Sequence, residues 1–114
     1  MPTYIRLSKF TPKGLDKVRE PKAFFADIEK GLSDHNVTLV SSFVTIGMYD
    51  FVSILEADSD DHLRQYLDHV EKQGYYKSRT MPAIPTPEFL TTIGNHGVFL
   101  EYWMKEKRGK PVDF

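Results

Sequence analysis

"NVTLVSSFVTIGMYDFVSILEA", residues 36–57, holds two runs rich in β-branched and aromatic residues on either side of a short break. A period of two puts Val37, Leu39, Ser41 and Phe43 on one face of the first run and Val40, Ser42, Val44 and Ile46 on the other. The second run sets Phe51, Ser53 and Leu55 against Val52 and Ile54. Both faces of both runs are largely apolar, so the sheet they build needs a layer on each side. Helices packed on a single side leave the opposite face wet, and a second copy of the chain is the economical source of the missing layer. Between the runs, Gly47 permits the positive φ of a tight hairpin.

The elements on either side of this hairpin follow from similar patterns. "TYIRLSKF", residues 3–10, alternates as a strand with Tyr4, Arg6, Ser8 and Phe10 on one face and Ile5, Leu7 and Lys9 on the other. "TPKG" breaks that pattern, and a helical turn begins near Leu15. "PKAFFADIEKGL" predicts a helix with Pro21 in its first turn and a buried stripe of Phe24, Phe25, Ile28 and Leu32. "DSDDHLRQYLDHVEKQG" predicts another, capped by Asp58 or Ser59, with Leu63, Tyr66, Leu67 and Val70 as its stripe and Gly74 at its end. "YKSRTMPAI" completes the set as a strand whose Pro82 and Pro85 suit only a sheet edge. The order β-α-β-β-α-β is the ferredoxin-like arrangement, an α+β fold. Residues 1–85 would form this domain. Residues 86–114 would form a C-terminal extension, with helices over "PEFLTTIG" and "VFLEYWMKEKRG" separated by His96 and Gly97.

Composition narrows the function classes. The 114 residues carry 15 basic and 16 acidic side chains, a formal net charge of −1, which argues against nucleic acid as a partner. Cysteine is absent, which removes disulfides and thiolate chemistry. "MPTYIRLSKF" lacks the apolar core of a signal peptide, and no run approaches a membrane span, so a cytoplasmic protein with no membrane partner is expected. A phosphate loop, GxGxxG and GxSxG are all missing, and no cofactor is expected.

Three features together resemble the GYD-domain family, which is named for a Gly-x-Tyr-Asp tetrad. They are the start "PTYIRLSKFTPKG", the tetrad Gly47, Met48, Tyr49 and Asp50 within "TIGMYDFVSILEA", and the acidic beginning of the helix after residue 58. The resemblance spans roughly residues 2–81 and implies a dimeric α+β barrel, in which two ferredoxin-like sheets pack face to face. It carries over no catalytic residues. Proteins of the wider fold include monooxygenases, lactone isomerases, haem-handling enzymes and effector-binding modules, and fold alone does not choose among them.

Two readings of the tetrad stand side by side. In one, Gly47 makes the turn and Asp50 bonds backbone amides there. In the other, Tyr49 and Asp50 place a phenol and an acceptor at one end of the sheet, where they hold or polarise a carbonyl or phenolic ligand. Arg6, mid-strand on the Tyr4 face, needs a counter-charge if that face is buried: a carboxylate across the sheet or an anionic ligand. His62 and His69 lie two helical turns apart, too far to chelate one metal, so no metal site is expected. With Tyr66 between them they form a solvated flank or a polar strip facing the cleft.

The expectation is a homodimer or higher oligomer that binds a small aromatic or carbonyl-containing molecule between sheet and helices. If it is an enzyme, cofactor-independent isomerisation or oxygenation fits, with Asp50 or His62 as base and Tyr49 as donor. Tyr4, Arg6 and Tyr66 would line the ligand site. The alternative is a non-catalytic module for ligand sensing or assembly.

Overall fold

A computed structural model of the chain describes residues 2–91 together with 104 and 105. Strand β1 (Thr3–Phe10) leads into helices α1 (Pro12–Val18) and α2 (Pro21–Asp34). Strands β2 (Val37–Val44) and β3 (Phe51–Ala57), helix α3 (Asp60–Gln73) and strand β4 (Tyr76–Ala83) follow. The four strands form one antiparallel sheet in the order β2-β3-β1-β4. Sequence pattern thus gives the ferredoxin-like element order, and Pro82 does sit on an edge strand, where its missing N–H costs no ladder bond. The first compact unit ends at Ala83, and a second begins at Ile84 with helix α4 (Thr86–Thr91). The aromatic run Phe99–Trp103, His96 and Gly97 lie outside the described residues, and so does most of the second helix expected in the extension.

Helices α2 and α3 cover one face of the sheet. Leu32 from α2 and Leu63, Tyr66 and Val70 from α3 close over Tyr4, Leu55 and Ala57, which come from β1 and β3. Ser59 caps α3 by accepting a hydrogen bond from the His62 amide at 3.2 Å, and Asp60 and Asp61 sit where the helix dipole favours negative charge. The α2 stripe departs from expectation at Phe25, which is exposed, because the hydrophobic arc is satisfied by Phe24, Ile28 and Leu32.

Two local features escape periodicity. A register shift between Leu39 and Ser41 inserts a bulge into β2. Val37 and Leu39 pair with Ala57 and Leu55 on the helix side, but Ser41 and Phe43 pair with Ile54 and Val52 on the opposite side. One extra residue switches the faces of everything that follows it, so the single-face grouping of Val37, Leu39, Ser41 and Phe43 does not hold. The second feature is Gly14. "TPKG" is not simply a break: Thr11 caps α1 by accepting from the Gly14 amide at 3.1 Å, with Pro12 in the first turn. A Cβ on Gly14 would collide with the backbone carbonyl of Tyr75, so glycine is required for α1 to lie against the α3–β4 junction. Thr11 fixes the same junction, its hydroxyl donating to the Gly74 carbonyl at 2.6 Å and its amide to Tyr75 at 3.0 Å.

Candidate functional site

The tetrad is a turn whose Asp50 side chain is committed to the backbone. Gly47 has φ +136°, a backbone conformation that a Cβ would strain. The carboxylate of Asp50 accepts from the Phe10 amide at 2.9 Å, and its own amide donates to the Ser8 carbonyl at 2.9 Å. Thr45 closes the loop from the other side: its amide donates to the Asp50 carbonyl at 2.9 Å and its hydroxyl to the Tyr49 carbonyl at 2.6 Å. Asp50 therefore staples the end of β1 to the start of β3. Tyr49 is half-buried, with the Lys9 ammonium over its ring at 5.8 Å.

The expected catalytic trio is not brought together. Asp50 stands at the start of β3, whereas His62 follows its far end in the first turn of α3. The seven residues of β3 run between these ends, a span of roughly 20 Å at about 3.3 Å per step. His62 has an enclosed Nδ1 that makes no hydrogen bond. Tyr4 belongs to the His62 end of the sheet: its hydroxyl donates to Asp60 at 2.8 Å. Burial first, and then this bond to a carboxylate, raise the Tyr4 pKa above that of a free phenol. The flank of α3 is likewise occupied. His69 stacks on His35 with ring centroids 5.0 Å apart, and His35 Nδ1 bonds the Gly31 carbonyl at 2.7 Å, joining the end of α2 to α3.

Arg6 and Tyr66 do meet. Together with Phe51, Ser53, Leu55 and Tyr76 they line a gap between sheet and helices of about 10 Å³. That is room for no more than about one water, so an organic ligand does not fit in the centre of the cleft. Arg6 is only 7% exposed, and its guanidinium lies over the Tyr76 ring at 5.1 Å. Among the described residues no carboxylate forms an ion pair with it, and its Nε has no hydrogen-bond partner. Burial lowers the Arg6 pKa and raises those of Tyr66 and Tyr76, since each charged form is poorly solvated there.

Open space lies to one side of this gap. A groove of about 460 Å³ runs between α3 and β4, bounded by Leu67, Glu71, Tyr76, Lys77, Ser78 and Thr80, with Arg6 reaching it from β1. Sequence reasoning missed the β4 residues of this wall. The period of two in "YKSRT" places Tyr76, Ser78 and Thr80 on one face, but only the register, which pairs Thr80 with Arg6 and Ser78 with Ser8, brings them to the arginine.

No helix of the first compact unit packs on the opposite face of the sheet. Ile5 and Leu7 of β1 and Val52 and Ile54 of β3 lie half-buried there, flanked by the exposed side chains of Phe43 and Met81. Among the described residues no helix is long and apolar enough to cross a membrane, and no cluster of three metal-ligating side chains occurs.

Comparison with known proteins adds three findings. The model of the GYD domain matches residues 4–93. A Thermus thermophilus protein named "Glutamine synthetase and cystathionine beta-lyase binding protein" is 28% identical over 94 residues, which cover 82% of this chain and 99% of that one. The crystal structure of FFRP-DM1 superposes with a TM-score of 0.51 at 23% identity, covering 74% of this chain and 100% of that one, a likeness of fold.

Proposed function

The chain belongs to the GYD-domain family, and from that premise we propose that it is a non-catalytic docking module that self-assembles through its uncovered sheet face and binds protein partners. The observation that carries this reading is the apolar surface of Ile5, Leu7, Val52, Ile54, Phe43 and Met81, which no helix of the first compact unit covers. Exposed patches of this kind mark association surfaces. A second copy packed face to face supplies the missing layer and gives the dimeric α+β barrel. Val44, Ile46 and Met48, exposed along the β2 edge and the turn, extend the apolar surface past the barrel and offer a place for a further protein.

An acid–base role at the tetrad is not adopted, because the Asp50 carboxylate already serves the Phe10 amide and His62 lies at the other end of the sheet. The name of the Thermus relative, matched over nearly its whole length, supports protein partners. Glutamine synthetase and cystathionine beta-lyase are the first candidates to try.

Native mass spectrometry of the full chain beside Ile54→Lys tests the assembly. The expected result is an oligomer for the parent chain and a folded monomer for the variant, since a lysine in the centre of the face cannot be buried unpaired. A parent chain that is monomeric at micromolar concentration overturns the proposal.

A further inference from the structure

The groove between α3 and β4 ends on a charge that no carboxylate among the described residues pairs with. Arg6 comes from the sheet, is nearly fully buried, and is held over Tyr76 with its Nε unpartnered. A buried guanidinium without a counter-ion is costly to keep. Folds keep such groups where something from outside completes them.

We infer that this groove binds a small organic monocarboxylate. Its carboxylate meets the Arg6 guanidinium, and its apolar body lies along Leu67 and the Tyr76 ring. Three features of the site select that chemistry. The guanidinium fork matches the two oxygens of a carboxylate, which makes the pairing directional. Leu67 and Tyr76 give the groove apolar walls, and its volume of about 460 Å³ suits a small organic molecule. Glu71 and Lys77 border the same groove with opposite charges, so Arg6 supplies the one unmatched positive charge and a single negative charge suits the site better than phosphate or a dicarboxylate. Thr80, directly opposite Arg6 in the β1–β4 pairing, brings a hydroxyl to the same spot, whereas the Ser78 hydroxyl is shared with Ser8 at 2.9 Å. The groove opens on the side of the sheet that carries the helices. It therefore stays available when the other face is covered, and this inference does not depend on the docking reading.

Titration of benzoate into the ¹⁵N-labelled full chain near neutral pH tests it, with inorganic phosphate as the comparison. Saturable shifts of the Arg6 Nε–H and the Thr80 amide are expected in the millimolar range, with phosphate weaker than benzoate. Arg6→Met should weaken benzoate about tenfold or more, in keeping with loss of a charge-assisted bidentate contact. Glu71→Gln, a change at an exposed helix position, should keep benzoate binding and narrow the gap between benzoate and phosphate. If Arg6→Met does not fold, the Glu71→Gln comparison carries the test. Unsaturable shifts, shifts unchanged in Arg6→Met, or a benzoate-to-phosphate ratio unmoved by Glu71→Gln overturn the inference.

Discussion

The two faces of the sheet place their polar groups differently. The face under α2 and α3 buries Arg6, Ser8 and Ser53 among its apolar side chains, and Ser8 is fully enclosed. On the opposite face Ile5, Leu7, Val52 and Ile54 form an apolar centre, and the charges of Lys9, Glu56, Lys77 and Arg79 stand around it. Polar groups thus sit inside the covered side, at positions where packing alone would favour valine or leucine, whereas on the other side they stand at the margin of an apolar patch. Under the proposed assembly that patch is a contact surface, while the covered face completes the core.

Substitutions at neighbouring positions separate the faces most sharply. Leu55 points under the helices and is 1% exposed, and Ile54 points the other way. Leu55→Ala is expected to cost about 2–5 kcal/mol at any protein concentration, the usual range for a buried leucine. Ile54→Ala should cost a comparable amount only where the oligomer is populated, and should become mild on dilution. Urea denaturation at two protein concentrations a hundredfold apart decides this. An Ile54→Ala cost independent of concentration would mean the open face has no partner copy.

The next effect concerns the staple that sets the register of both faces. Asp50→Ala leaves the Phe10 amide without its acceptor and is expected to destabilise by about 1–3 kcal/mol. Asp50→Asn, which keeps an oxygen acceptor, should recover part of that loss. Chemical denaturation of the two variants measures it, and an Asp50→Ala chain as stable as the parent would reopen a chemical role for the tetrad.

Much of this was legible in the sequence. Alternation and caps gave the element order and the edge position of "YKSRTMPAI". The β2 bulge was not legible, because one inserted residue leaves composition unchanged while it flips Ser41 and Phe43 to the opposite face. Gly14 read as a breaker since its constraint, the Tyr75 carbonyl, lies sixty-one residues away in the chain. The site divided in the same manner. Arg6 was visible as a charge in a buried strand, but the absence of a partner for it, and the groove beside it, depend on β4 pairing with β1. The separation of Asp50 from His62 was implicit in the strand between them, whereas the commitment of the Asp50 carboxylate to the Phe10 amide depends on β1 pairing with β3.

The smallest expected effect is in alkali, and it distinguishes the faces by titration. Tyr4, Tyr66 and Tyr76 all belong to the covered side, and burial raises the pKa of each above the ordinary phenol value. In the unfolded chain these phenols ionise near pH 10, so above that pH the unfolded state binds fewer protons than the folded one. The stability they contribute is full below pH ~10 and falls as pH rises toward the raised folded values. The nearby Arg6 opposes the shift at Tyr66 and Tyr76 by favouring the phenolates. Tyr76→Phe keeps the ring beneath Arg6 but removes one of these protons, so its stability should fall less steeply than the parent's between about pH 9 and about pH 11. Parallel curves for the two chains would mean that the Tyr76 hydroxyl is as well solvated in the folded chain as in the unfolded one, facing the open groove rather than the packed layer.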